Sequence, residues 1–189
     1  MKERIHNAIL EVLETVKKLI LSVTVLVSIV LVYAVQYYNS YNIKNSLGTV
    51  ERETEYRLNS DIEMQIMKVV DNKLVFTFTV GDQLGSGELI KGFNNRYKYN
   101  YAGHGTNEIR ERIIETKNGQ FLMLTGRNSQ SIKHIRAHIE DEAYDVIIPE
   151  GEFYLTVTPI KETKLEFTSG MILYNKENQE IDRIKLPHK

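Results

Sequence analysis

Residues 109–125 read IRERIIETKNGQFLMLT, and this stretch decides the fold class. Two runs rich in β-branched and large apolar side chains flank Asn118-Gly119, a dipeptide that favours the left-handed backbone of a tight hairpin turn. We therefore predict two strands, Ile109 to Thr116 and Gln120 to Thr125, joined by this turn. Strands joined by so short a connection are antiparallel.

The rest of residues 50–189 repeats this pattern of short β-prone runs separated by turn residues. Strands at intervals of about 8 to 12 residues are typical of an antiparallel β-sandwich or an open barrel, so we predict a mainly β domain of that kind. In residues 49–67 charged and apolar side chains mix without a clear period, so helix and strand both stay open there. The other predicted strands are Glu63 to Val70, Leu74 to Val80, Ala143 to Ile148, Glu152 to Thr158, Leu165 to Thr168, Met171 to Tyr174 and Ile181 to Leu186.

The N-terminal part of the chain has a different character. Residues 19–35 read LILSVTVLVSIVLVYAV and carry no charge, and with their flanks they reach the ~20 apolar residues that span a bilayer. We predict a transmembrane helix over residues 19–38, after a cytoplasmic helical lead-in over residues 1–18 and before a linker over residues 39–49. Tyrosines cluster at the far end of the span, where aromatic rings favour the headgroup zone.

The charges around the apolar run indicate its orientation. Lys17 and Lys18 precede the run, and no Lys or Arg follows it until Lys44. By the positive-inside rule the N-terminus lies in the cytoplasm, and residues 50–189 form an extracytoplasmic domain at the cell membrane. The alternative is a signal peptide cleaved after Ala34, which would release a secreted protein. The length of the apolar run favours the uncleaved signal anchor.

The composition excludes several classes of site. The chain has no Cys, which rules out disulfides, thiol catalysis, Cys-ligated metals and a lipid-anchored lipoprotein. Its 24 basic and 25 acidic residues nearly balance, and no concentrated basic stretch matches a phosphate backbone, so we expect no nucleic-acid partner. No motif indicates a cofactor.

Residues 96–105 contain the first candidate binding residues. Tyr97, Tyr99 and Tyr101 alternate with polar residues, so on a regular strand all three share one face. That face is either a stacking platform for sugars, peptides or single-stranded nucleic acid, or the core side of the strand. The core interpretation is favoured because the chain has no Trp and no basic groove. His104 stands between two glycines and is a candidate ligand or general base, without a nucleophile motif beside it.

Residues 81–88 read GDQLGSGE, a glycine-rich stretch. A phosphate-binding loop needs a following Lys-Ser/Thr on a helix, or a strand-loop-helix frame for a dinucleotide, and neither is found here. We therefore expect these residues to form a mobile connection between two strands.

Residues 131–142 read SIKHIRAHIEDE, in which His134 and His138 stand four residues apart. On a helix the two imidazoles would lie about 6 Å apart, which would suit a shared metal ion. Apolar residues instead alternate with His134, Arg136 and His138, which favours a strand that ends in an acidic turn. Four residues of strand span about 13 Å, which is too far for one metal ion to bridge, so we predict no metal site.

The stretch SGELIKGFNNRYKYNYAGHG, residues 86–105, resembles a pattern of small uncharacterised exported or membrane-anchored β-rich proteins of Gram-positive bacteria. Residues 132–159 resemble the C-terminal half of the same group. This chain departs from the group in having Tyr where Trp is usual, and residues 175–179 where a glycine turn is usual. The resemblance implies a β-rich extracytoplasmic module and carries no activity with it. The matching positions are Leu89, Lys91, Tyr97, Lys98, Tyr99, Gly103 and Gly105.

These observations favour a single-pass membrane protein whose outer domain binds or scaffolds a cell-surface or envelope partner without catalysis. The competing hypothesis is an extracytoplasmic hydrolase that uses His104, His134 or His138. The third hypothesis is the secreted protein that signal-peptide cleavage would release.

Overall fold

The computed structural model describes residues 2–185 of the chain, with the side chains of residues 13–184. Met1 and residues 186–189, which include the end of the predicted strand Ile181 to Leu186, lie outside the described range. The chain divides into two compact units, one ending at Asn42 and one beginning at Ile43. The described strands are β1 (Glu63–Val70), β2 (Lys73–Val80), β3 (Gln83–Lys91), β4 (Tyr97–Gly105), β5 (Ile109–Thr116), β6 (Gly119–Arg127), β7 (His134–Ile139), β8 (Glu142–Ile147), β9 (Phe153–Ile160), β10 (Gly170–Tyr174) and β11 (Glu180–Lys185).

The first unit is a long helix, α1 (Lys2–Ser40). From Leu13 to Ser40 it is long and apolar enough to cross a membrane, and none of that stretch is buried against the protein. The hydroxyls of Ser22, Thr24 and Ser28 each donate to a carbonyl four residues earlier at 2.9 Å, so these polar groups are satisfied within the helix. Its length and apolar composition fit a membrane anchor or a signal sequence.

The second unit contains three antiparallel sheets. Sheet A has the strand order β1-β2-β3-β4, sheet B the order β5-β6-β9 and sheet C the order β11-β10-β7-β8. The predicted hairpin joins β5 to β6, but its two turn residues are Lys117-Asn118, and Gly119, with a positive φ of 132°, is the first residue of β6. The prediction of a mainly β domain with antiparallel strands is thereby confirmed.

Sheet B lies between the other two sheets, and both of its faces are buried. On one face Met123 and Ile114 pack with Val75 of sheet A. On the other face Leu122 and Leu124 belong to a larger cluster with β7, β8 and β10 of sheet C. Successive side chains of a strand point to opposite faces, so the apolar run of β6 contributes to two cores. The predicted sandwich therefore has a third sheet.

A short helix, α2 (Leu47–Leu58), packs over the outer face of sheet A. Val50 is fully buried there, in a cluster with Ile43 and Phe76. Ile43 also pairs with a residue of β4, so the compact unit starts within the linker expected over residues 39–49. Residues 49–67, where helix and strand stayed open, contain both: helix to Leu58 and β1 from Glu63.

The expectation of a mobile connection over residues 81–88 is wrong, because most of them belong to β3. Gly85 and Gly87 pair with Phe78 and Phe76 of β2. A Cβ atom at either glycine would come within 2.3 or 2.2 Å of the facing phenyl ring. The glycines therefore make room for two aromatic side chains of the neighbouring strand. This close packing, and not the mobility of a loop, accounts for glycine at both positions.

One predicted strand of the last third of the chain is absent, and one of its turns does not form a hairpin. Leu165 to Thr168 is not a strand but part of residues 161–169, an irregular connection between β9 and β10 that we call the strap. The turn at Pro149-Glu150-Gly151 is present, but it joins β8 of sheet C to β9 of sheet B and closes no hairpin. Turn residues mark where a chain reverses, without identifying the strand that it pairs with next.

Candidate functional site

Two of the three candidate tyrosines are core residues. Tyr97 is 3% exposed, pairs with Ile43 and lies in the cluster over the outer face of sheet A. Tyr99 packs against the same cluster, with the guanidinium carbon of Arg57 4.4 Å from its ring centroid. Burial raises the pKa of the Tyr99 phenol above its ordinary value. Neither ring is free for stacking with a ligand.

A β-bulge separates Tyr101 from the other two tyrosines. Leu89 of β3 pairs with Tyr99, and the adjacent Glu88 pairs with Tyr101, so Asn100 is an extra residue on β4. Neighbouring residues of β3 point to opposite faces, and cross-strand partners share a face. Tyr101 therefore lies on the face opposite Tyr99, and the prediction that three tyrosines share one face is wrong.

On that second face, two arginines of β5 contact Tyr101. The guanidinium carbon of Arg112 lies 4.5 Å from the ring centroid, and Nη2 of Arg110 donates to the phenol oxygen at 3.4 Å. The ring is thus held between β4 and β5 as a structural contact. The bulge removes the regular alternation on which a row of stacking rings depends.

The three candidate histidines lie on two sheets that sheet B separates. His104 is exposed on β4, with Nδ1 2.7 Å from Oε1 of Gln83. His134 and His138 lie on β7, which is a strand with alternate residues buried, as the sequence predicts. The ring of His134 stacks on Tyr174 with centroids 4.4 Å apart. Within the described residues, no three His, Asp or Glu side chains are placed to hold one metal ion.

A cleft of about 730 Å³ opens between sheets B and C, and we take it as the candidate functional site. The walls are β5, the edge strand of sheet B, and β10 and β11 at the edge of sheet C, and the strap crosses between them. A concave site of this size with an apolar lining and a few polar groups is typical of ligand binding. Its apolar lining includes Ile109, Ile132, Phe167, Met171, Leu173 and Ile184.

The charged groups of the cleft are mostly acidic. Four acidic residues and one arginine line it among the described residues, and none of the five forms an ion pair. The guanidinium of Arg110 is directed to Tyr101 on the other face of β5. Unpaired carboxylates beside apolar side chains give the site a negative potential, because a low-dielectric wall screens charge poorly. These residues are Glu108, Glu111, Glu166, Asp182 and Arg110.

Glu111 and Asp182 project into the cleft from the two edge strands. Residues two apart on a strand share a face, so Glu111 lies with Ile109 and Ile113 toward sheet C, and Asp182 lies with Ile184 toward sheet B. Glu111 is half-buried, and burial raises the pKa of its carboxyl above the ordinary value. Hydrogen bonding from the neighbouring strap opposes that shift.

The strap is attached to sheet B at two places. At the start of β6, the side-chain amide of Gln120 makes two hydrogen bonds to the backbone of Thr163. It accepts from the N–H of Thr163 at 2.7 Å and donates to the carbonyl of Thr163 at 3.0 Å. Farther along, the N–H of Ile113 donates to the carbonyl of Glu166 at 2.9 Å. The N–H of Thr168 then donates to Oε2 of Glu111 at 3.0 Å. The strap therefore follows the edge of β5 before it enters β10.

No sequence motif marks this cleft, and none of the candidate residues chosen from the sequence lines it. Its walls come from strands that are distant along the chain. The sequence of the strap has the pattern of another short strand, so it does not indicate an irregular connection. One local signal exists: residues 109, 111 and 113 read Ile, Glu, Ile, which places a carboxylate on the core face of a strand. No family model matches the chain, and neither a curated protein nor a solved structure gives a match, so the site rests on its own geometry.

Proposed function

We propose that this protein is a single-pass membrane protein with its N-terminus in the cytoplasm and a β domain outside the cell that binds a ligand without catalysis. The apolar helix from Leu13 to Ser40 supports the anchor. Lys17 and Lys18 before the apolar run support the orientation. The relationship to small membrane-anchored β-rich proteins of Gram-positive bacteria stays a prediction from the sequence.

The cleft between sheets B and C is the observation that carries the binding proposal. Apolar side chains of two sheets reach solvent there, and Phe167 at the strap is 48% exposed. Concentrated apolar surface of this kind marks a contact site, since burying it would otherwise stabilise the domain. Its charged residues are four acidic residues and Arg110, and the candidate histidines lie on other surfaces, which supports binding over hydrolysis.

The topology can be tested with single cysteines, because the chain has none of its own. We expect a membrane-impermeant maleimide to label Asn178→Cys in intact cells and Asn7→Cys only after lysis. Labelling in the reverse pattern would place the β domain in the cytoplasm and overturn the topology. A product in the medium that lacks residues 1–34 would show cleavage after Ala34 and remove the anchor from the mature protein.

Ligand binding at the cleft can be tested by photocrosslinking in living cells. A photoreactive phenylalanine analogue at position 167 should give discrete adducts, because Phe167 lines the cleft. The same analogue at Ile147, which is 72% exposed on the outer side of sheet C, should give none. Ile184→Trp, which fills the cleft, should abolish the adducts at position 167 when the melting temperature is kept. Equal adducts at both positions, or none at position 167, contradict the proposal.

A further inference from the structure

The edge of β5 is only partly covered inside the cleft. On an edge strand, alternate residues direct their N–H and C=O groups away from the sheet. The N–H of Ile113 bonds to the strap, so the outward-facing residues are the odd-numbered ones. The next two are Glu111 and Ile109, and their backbone groups have no partner among the described residues. The backbone N–H and C=O groups of these two residues are therefore available to pair with another strand.

The strap leaves β5 at the point where this open edge begins. Thr168 bonds to the side chain of Glu111 and not to its backbone, and the N–H of Ser169 donates to the carbonyl of His138 in sheet C at 2.7 Å. Residues 109–111 of β5 then present a free edge, whose two outward-facing residues lie about 7 Å apart and can pair with an added strand of about three residues. Exposed strand edges of this kind bind extended peptides.

The charges in the cleft indicate which peptides would fit. A strand added beside β5 would direct alternate side chains into the space between sheets B and C, where Glu111 and Asp182 stand among apolar residues. A Lys or Arg side chain suits such a surface, because its methylene stem packs on apolar groups while its charged head reaches a carboxylate. The four carboxylates outnumber Arg110, the one cationic residue among the described lining residues.

We propose that the cleft binds an extended peptide, in which Lys or Arg alternates with apolar residues, as a strand added to β5 at Ile109 and Glu111. This inference rests on the proposed binding function of the cleft and names its ligand class. A cation beside Glu111 would also offset the unfavourable burial that raises the pKa of that carboxyl. The main-chain bonds supply affinity, and the carboxylates select the charge of the peptide.

The test uses the full chain in nanodiscs of zwitterionic lipid, which bind a cationic probe weakly. The probe is a short fluorescent peptide in which Lys alternates with Val and Ile, and binding is measured by fluorescence anisotropy. One control peptide has Glu at every Lys position, and two others carry N-methyl groups on one or the other set of alternate amides. We expect the Glu peptide and one of the N-methylated peptides to bind about 10-fold or more weakly, because each lacks one required contact.

Hydrogen exchange then identifies the binding mode. With the Lys peptide bound, we expect the amides of Ile109 and Glu111 to exchange about 10-fold more slowly, and the edge amides of β8 to be unchanged. Binding without protection of the two β5 amides would overturn the added strand. Equal binding of the Lys and Glu peptides would overturn the selection of cationic ligands.

Charge variants complete the test. Glu111→Gln and Asp182→Asn should each weaken binding of the Lys peptide about 5- to 10-fold. Glu177→Gln, in the exposed turn between β10 and β11, is the matched control and should leave the affinity unchanged. If the Lys peptide does not bind while position 167 still gives adducts in cells, this inference fails and the proposed function stands, with a ligand of another class. If both fail, both proposals fall.

Discussion

The two faces of sheet B are buried in different ways. The face toward sheet A is closed by apolar contacts such as that of Met123 with Val75, both fully buried. At its centre the hydroxyls of Thr77 and Thr125 form a hydrogen bond between the two sheets. The hydroxyl of Thr125 also donates to the carbonyl of Tyr154 at 2.9 Å. These two hydroxyls are therefore paired within the protein.

The face toward sheet C has a larger core and an open edge. Leu122, Leu124 and Tyr154 are fully buried in the centre of this interface. Toward β5 and β11 the same interface ends in the cleft, where Glu111 and Asp182 stand without a cationic partner among the described residues. An unpaired carboxylate is costly to bury in a dry core, so the sheets cannot close completely over these two groups.

The difference shows how one central sheet can support stability on one face and recognition on the other. On the sheet A side, the hydroxyls of Thr77 and Thr125 are compatible with close packing, because each has a hydrogen-bond partner. On the sheet C side, burial disfavours the charged form of Glu111, and a cost in stability of this kind is common where a protein binds a ligand. Changes to the polar groups of the two faces should therefore have opposite signs, whereas cavities on either face should destabilise the domain.

Adjacent residues of β6 test the two faces separately, with the largest expected effects. Leu122→Ala opens a cavity toward sheet C and Met123→Ala opens one toward sheet A, and each residue is at most 1% exposed. Each should lower the free energy of unfolding by about 2–5 kcal/mol. Urea unfolding of the full chain in detergent, followed by tyrosine fluorescence, measures the change. Ile147→Ala is the exposed control, with an expected change below about 0.5 kcal/mol. A control-sized loss for Met123→Ala would show that the face toward sheet A is not a closed core.

Much of the fold can be predicted from the sequence, because its strands follow local rules. Asn118-Gly119 and the alternation of β7 identify a hairpin and a half-buried strand, and the structure contains both. The arrangement of the three sheets in layers cannot be predicted from the sequence, because it depends on which strands pair with each other. The continuous apolar run at residues 121–124 is a sign that this strand is buried on both faces. Gly85 and Gly87 led to the wrong prediction of a mobile connection. The phenyl rings that they accommodate belong to another strand, so the local sequence does not indicate this packing.

The hydroxyl pair on the sheet A side gives the next largest effect, through a double-mutant cycle. Thr125→Val should cost about 1–3 kcal/mol, because it leaves a hydroxyl and a carbonyl without this partner. Thr77→Val should cost less, because Thr125 keeps its bond to the carbonyl of Tyr154. The double variant should cost less than the sum of the two single changes, as measured by urea unfolding. Strict additivity would show that the two hydroxyls do not interact.

The candidate site is less predictable than the fold, because it depends on departures from regular strands. One extra residue, Asn100, moves Tyr101 to the opposite face, and no local sequence rule signals a bulge at that position. The cleft forms because the strap separates from β5 after Glu166. Tertiary contacts determine where it separates, and the local sequence does not show them. The sequence does predict that Glu111 lies on the core face of a strand. That position alone does not show whether the carboxylate belongs to a binding site or is an isolated charge without a function.

The smallest expected effect comes from the carboxylate that helps to keep the sheet C side open. Burial raises the pKa of Glu111 in the folded chain above 4.5, its ordinary value. As the pH rises, the unfolded chain releases this proton first, so the folded state loses stability between the ordinary pKa and the raised one. That loss is complete above the raised pKa, and it is absent well below 4.5, the ordinary pKa.

Glu111→Gln removes this titration and can still accept the bond from the N–H of Thr168. We expect the variant to melt a few degrees higher than the parent chain at neutral pH, with the difference shrinking to zero below pH 4.5. Glu177→Gln, at an exposed turn, should show no such pH-dependent difference. A variant that melts lower at neutral pH would mean that the carboxylate stabilises this edge. The two faces of sheet B would then differ in shape alone, and the stability cost assigned to the open edge would be wrong.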